Sequence, residues 1–129
     1  MIKYTELKED NRHDLRKEIP LVKPYTLLIE PSNYCNFNCV QCFQSLKQEN
    51  YLTKNRGSMS LELYRDIMRQ MREWEGPKLK VLKLSLYGEP FVCPDFGEML
   101  RMAKEADIAE RIETTTNMSL LTPKLCREL

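Results

Sequence analysis

Three thiols crowd into eight residues of this 129-residue chain: Cys35, Cys39 and Cys42, spaced C-x3-C-x2-C. Thiolates at that spacing on one loop can hold three corners of a cubane iron–sulfur cluster and leave the fourth iron open to a non-protein ligand. Other readings of the same residues compete. Structural zinc uses four ligands. The one histidine, His13, lies far upstream, and Cys93 offers a fourth thiol that nothing local presents. Positions 35, 39 and 42 also share a helix face, at i, i+4 and i+7. Asn33, Asn36 and Asn38, following Pro31, argue against a helix there. A disulfide framework is disfavoured, since five is an odd count and no export signal accompanies it. The residues favour the iron–sulfur reading. Cys93 and Cys126 stand apart and read as small, buried or half-buried thiols.

The elements around the thiols follow a βα rhythm. Residues 26–30 (TLLIE) form a β-rich run ended by Pro31, so a strand leads directly into the cysteine loop. Residues 45–57 are polar and aperiodic, a long surface loop. Ser60 is an N-cap, and Tyr64, Ile67, Met68, Met71 and Trp74 then share one helix face until Gly76-Pro77 stops it. Residues 80–86 are a second strand with Tyr87-Gly88-Glu89-Pro90 as its exit turn. Asp95 and Glu98 form a capping-box variant before a second helix that carries Phe96, Met99, Leu100, Ala103 and Ala106. Residues 111–117 are a third strand, and Thr122-Pro123 reads as N-cap and first residue of a third helix. The methionines read as helix packing.

Strands alternating with helices imply a parallel sheet. Each strand also has a more polar face: Thr26 and Glu30; Lys83, Ser85 and Tyr87; Glu113, Thr115 and Asn117. Strands covered by helices on both faces read as continuous apolar runs. The polar faces therefore suit the interior of an open barrel, unless three short runs only mimic that pattern at their ends. Residues 1–24 read as a leader packed on the outside, and residues 25–129 as an incomplete core of three βα units.

Composition narrows the class. Lys and Arg number 20 against 19 Asp and Glu, a net charge of +1, and the basic residues are scattered without interleaved aromatics. Neither a nucleic-acid binder nor an acidic tail is indicated. No apolar run reaches the roughly 20 residues of a membrane helix. The first 17 residues lack a secretory apolar segment. The expectation is a soluble, cytoplasmic domain.

Three features together resemble the radical S-adenosylmethionine (radical SAM) superfamily: the C-x3-C-x2-C loop after the first strand, Gly88-Glu89-Pro90 after the second, and Thr115-Thr116-Asn117 after the third. The flanking TLLIEP and SLLTP are most similar to the SPASM/twitch subgroup, which often carries further clusters in a C-terminal extension. The resemblance implies a partial (β/α)6 TIM-like barrel, of which this chain supplies the first half. It implies a [4Fe–4S] cluster on Cys35, Cys39 and Cys42, with S-adenosylmethionine chelated at the open iron and cleaved by one electron to a 5′-deoxyadenosyl radical. That radical would abstract hydrogen from a substrate the sequence does not specify. Gly88 would let backbone approach the ligand, Glu89 would accept from the methionine ammonium, and Pro90 would stiffen the turn. Thr115 or Asn117 would reach the methionine carboxylate or ribose.

The chain departs from the family pattern in places. Gln41 stands where an aromatic residue usually contacts adenine, with Phe43 just beyond the third cysteine, and Tyr87 replaces the first Gly of G-G-E-P. The implied partners are a flavodoxin- or ferredoxin-like reductant and, through an open sheet edge, a further copy of the chain. The isolated chain, as a truncated or partner-dependent unit, is expected to turn over little. The competing functions are a non-catalytic iron–sulfur electron-transfer or cluster-binding module, and a zinc-binding interaction domain.

Overall fold

The computed structural model describes residues 14–45 and 56–128. His13, the first half of the expected leader, and residues 46–55 of the expected surface loop lie outside them. The order is β1 (Thr26–Leu28), α1 (Leu61–Glu73), β2 (Val81–Lys83), α2 (Phe96–Ala106), β3 (Ile112–Glu113) and α3 (Pro123–Glu128). The alternation is the expected one. The strands form one parallel sheet in the order β1-β2-β3, with Leu27 opposite Leu82 and Leu82 opposite Ile112.

The strands are shorter than their sequence pattern. The last backbone bond on the β1 side runs from the Ile29 N–H to the Lys83 carbonyl, 2.9 Å, and Pro31 then has no N–H to continue the ladder. Beyond β2 and β3 side chains replace strand pairing. The Thr114 hydroxyl donates to the Leu84 carbonyl at 3.0 Å, and the Ser85 hydroxyl accepts from the Thr115 N–H at 3.0 Å. Ser85, expected on a wet face, is therefore buried, while Leu86, expected inside, is exposed on the exit turn.

Helix α1 starts as expected, the Ser60 hydroxyl accepting from the Leu63 N–H at 3.2 Å, and it buries Tyr64, Met68 and Met71. Trp74 corrects the pattern. The helix ends at Glu73, Trp74 adopts extended geometry as the C-cap, and its side chain is 47% exposed instead of continuing the buried face. Gly76, at φ +128°, then takes a turn that a side chain rarely tolerates. Asp95 precedes α2 but makes no side-chain cap. Its backbone, at φ −92° and ψ 6°, is not extended, and Glu98 pairs with Arg101 instead of folding back. At α3 the expected cap is present, Thr122 Oγ1 accepting from the Leu125 N–H at 3.1 Å.

Both longer helices lie on the face of the sheet that carries Leu27, Ile29, Leu82 and Leu84. Met99, Phe96 and Ala103 of α2 complete that core, and Met102 packs at its margin. Cys93 is buried as expected. Cys126 is exposed, because its neighbour Leu125 is the α3 residue turned toward Gly97. Burial of Tyr64 holds its phenol well above the ordinary range. The opposite sheet face carries Thr26, Lys83, Glu113 and Leu28, which is 48% exposed. Among the described residues no helix is long and apolar enough to cross a membrane.

These burial differences set a test of the core. Leu82→Ala is expected to cost about 2–5 kcal/mol, against about 1 kcal/mol or less for Leu28→Ala on the open face. Urea unfolding of both variants measures the contrast, and equal losses would refute the one-sided core.

Candidate functional site

Parallel strands place their three exits at one edge of the sheet, where α/β sites form. The β1 exit carries the cysteines, the β2 exit carries Tyr87 to Pro90, and the β3 exit carries Thr114 to Asn117. Side chains and backbone then draw the exits together.

Gly88 is the closest point. A Cβ there would stand 1.9 Å from the Ser32 carbonyl oxygen and 2.8 Å from that of Tyr34, so only glycine fits. Sequence reasoning expected close approach at Gly88, but to a ligand; what meets it is the backbone of the cysteine loop. The next amide, Glu89 N–H, donates to the Tyr34 carbonyl at 2.9 Å.

Glu89 is 2% exposed, and its carboxylate already holds three donors. Oε1 accepts from the Phe91 N–H at 3.1 Å and the Thr116 hydroxyl at 2.6 Å, and Oε2 accepts from the Asn117 N–H at 2.7 Å. An ionised carboxylate offers about four acceptor positions, so about one remains for an ammonium. Pro90 is buried and opens a 3-10 turn, Pro90–Val92, for which Glu89 is the N-cap.

Asn117 links the third exit to the thiols. Its Nδ2 donates to Asn36 Oδ1 at 2.9 Å and lies 3.8 Å from Cys35 Sγ, and its Oδ1 accepts from the Ser119 N–H and hydroxyl. Cys35 Sγ also accepts from the Phe37 N–H at 3.4 Å. Thr115 is exposed, and its N–H is the one taken by Ser85. Gln41 is exposed on the loop between the second and third cysteines. Phe43 opens a 3-10 turn, Phe43–Ser45, and its side chain lies outside the described part.

The loop is fastened at its base. Asn33 exchanges bonds with Gly57, its N–H donating to the Gly57 carbonyl at 3.2 Å and its Oδ1 accepting from the Gly57 N–H at 2.8 Å. The Met59 N–H donates to the Pro31 carbonyl at 2.8 Å. Gln44, which the sequence did not single out, is buried, and its Nε2 donates to the Asn33 carbonyl at 2.8 Å. Glu30 was also missed as a site residue. Its Oε1 accepts from the Tyr87 N–H at 2.6 Å and the Gly88 N–H at 3.0 Å. The Glu30 partners lie 57 and 58 residues along the chain, and the Gln44 bond spans eleven, beyond any helix or strand period.

The family model for the radical SAM superfamily matches residues 29–129, which include all three exits. The chain belongs to the radical SAM superfamily. A protein of Pyrococcus furiosus named tungsten-containing aldehyde ferredoxin oxidoreductase cofactor-modifying protein is 31% identical over 103 residues, 80% of this chain and 26% of that protein. The crystal structure of BtrN in complex with AdoMet and 2-DOIA superposes with a TM-score of 0.65 at 26% identity, over 82% of this chain and 41% of that one. BtrN in an open conformation gives 0.63 at 25%, over 82% and 44%. The chain therefore spans about a quarter of the curated relative and about two fifths of these structures.

Radical SAM proteins use a [4Fe–4S] cluster and S-adenosylmethionine, and the donor set here fits the cluster. Cys35, Cys39 and Cys42 are free thiols on one loop, and amide N–H groups already stand at the first sulfur. Among the described residues, no three His, Cys, Asp or Glu side chains converge to hold a metal ion. The thiols thus have the right chemistry and sequence placement without being gathered on one point.

Gly88→Ala tests the contact that holds the exits together. The added methyl is expected to displace the loop at a cost of about 1–3 kcal/mol, read by thermal unfolding of the metal-free protein. A variant as stable as the parent would show that the approach is not enforced.

Proposed function

We propose that this chain forms the cluster-binding part of a radical SAM enzyme, with Cys35, Cys39 and Cys42 as the three protein ligands of a [4Fe–4S] cluster. When bound with S-adenosylmethionine, that group supplies one-electron cleavage of a sulfonium and abstraction of hydrogen from a substrate. The observation that carries the proposal is the seating of Gly88 on the cysteine loop, with Asn117 reaching Cys35 from the third exit.

The chain's own residues bind, orient and exclude water. The Phe37 N–H and the Asn117 amide offer hydrogen bonds to the Cys35 sulfur, and such bonds tune a cluster's reduction potential. Gly88 and Glu89 form the wall beside the loop. Glu89 serves first as a strut from the β2 exit to the β3 exit, with about one acceptor position left for a ligand ammonium. Thr115 and the Asn117 side chain lie at the rim, where a carboxylate or ribose can be met. Gln41 and Phe43 border the thiols on the loop itself. A soluble, cytoplasmic setting with a flavodoxin- or ferredoxin-like electron donor accords with this chemistry.

The test is made on anaerobically reconstituted protein. About four irons per chain are expected, and the EPR spectrum of the reduced cluster is expected to change when S-adenosylmethionine is added. Cys35→Ala, Cys39→Ala and Cys42→Ala should each lose most of the iron, while Cys126→Ala keeps it. A cluster whose spectrum ignores S-adenosylmethionine would favour an electron carrier, and zinc in place of iron would overturn the proposal.

A further inference from the structure

We infer that Glu30 is a positioning residue of this site: its carboxylate fixes the turn after β2 against the cysteine loop and thereby sets where S-adenosylmethionine is met. The inference rests on the reading of the site given above and gives a role to a residue outside the cysteine and Gly88-Glu89-Pro90 motifs.

Glu30 ends the first sheet-facing run and precedes Pro31, the point at which β1 leaves the ladder. From there the backbone of β1 no longer serves β2. The Tyr87 and Gly88 amides then lie past the end of the ladder, without a β1 carbonyl to meet them. Glu30 replaces the ladder with a side chain. One oxygen, Oε1, accepts from two consecutive amides, Tyr87 at 2.6 Å and Gly88 at 3.0 Å. Two successive N–H groups thus converge on one side-chain oxygen, so where that oxygen stands decides both bonds.

The third amide of the turn, at Glu89, goes to the Tyr34 carbonyl, and Pro90 has no N–H. The β1 exit therefore takes every amide of the turn, and none remains to donate to a ligand. Rotation of the turn is removed as well, because Gly88 rests on Ser32 while its amide is tied to Glu30. The hydrogen bonds of Glu30 go to the turn amides rather than to the thiols or to Glu89. Glu30 acts through the backbone between them, over 57 and 58 residues of sequence.

Reach and charge separate in substitutions. Glutamine keeps the length and an accepting oxygen. Aspartate keeps the charge but is one methylene shorter. Alanine keeps neither. The readout is the S-adenosylmethionine concentration that half-converts the EPR spectrum of the reduced, reconstituted cluster, with iron content and thermal midpoint measured on the same samples.

Glu30→Gln is expected to stay within about threefold of the parent, whereas Glu30→Asp and Glu30→Ala rise by about tenfold or more, as small misplacements do, with iron content unchanged. Should Glu30→Ala not fold, the glutamine and aspartate pair still decides. Aspartate matching the parent while glutamine fails would make the role one of charge and overturn the inference. So would three variants that titrate like the parent, or losses of affinity that follow losses of iron and thermal midpoint. A parent protein whose spectrum ignores S-adenosylmethionine would instead remove the site reading itself, and the inference with it.

Discussion

The approach of Gly88 to the Ser32 carbonyl is the constraint around which this site is built. Two backbone segments, from different strand exits, meet where a single methyl group would not fit. The contacts between the first and second exits share that proximity. The Glu89 amide reaches Tyr34 because Gly88 is already seated. The Gln44 side chain, bonded to the Asn33 carbonyl on its own loop, comes within 3.5 Å of the Tyr87 carbonyl for the same reason. Glycine contributes here by what it lacks, and the energy comes from the hydrogen bonds that its absence of a side chain permits.

Two carboxylates flank that contact and divide the work. Glu30 collects amides from the turn in front of it. Glu89 collects an amide just after itself, a hydroxyl and an amide from the β3 exit. A buried charge is costly unless hydrogen bonds compensate it. Glu89, almost fully buried, has three donors supplied by the protein alone. The three exits are thus joined pairwise, β1 to β2 through Glu30 and β2 to β3 through Glu89. The Asn117 side chain runs back to β1 through Asn36 and closes the circuit.

What the sequence made legible was local. The 3.6-residue period located α1 and α2, Ser60 and Thr122 announced two helix starts, and thiol spacing with the Gly88-Glu89-Pro90 turn marked the site. What it hid lay in contacts between distant residues. Thr116 fell on the apolar side of a strand pattern that stops at Glu113, so its bond to Glu89 had no precursor in the alternation. Glu30 looked like one more polar strand residue, because its partners stand more than fifty residues away. Trp74 and Asp95 show the opposite failure. Both satisfied a local rule, and in both the chain had already turned into another backbone conformation.

The bond from Gln44 to the Asn33 carbonyl makes the cysteine-bearing segment a ring with its own neck, closed over eleven residues of sequence. Inside that ring the Val40 side chain is 95% exposed and packs against almost nothing. Time then separates the parts of the site. Loops of about ten residues close in roughly 10–100 ns, and contacts between distant residues wait on a larger loss of chain freedom. By separation alone, the neck forms well before Glu30 finds its turn. Closing the ring with its three thiols therefore costs less chain freedom than docking the wall that stands against it.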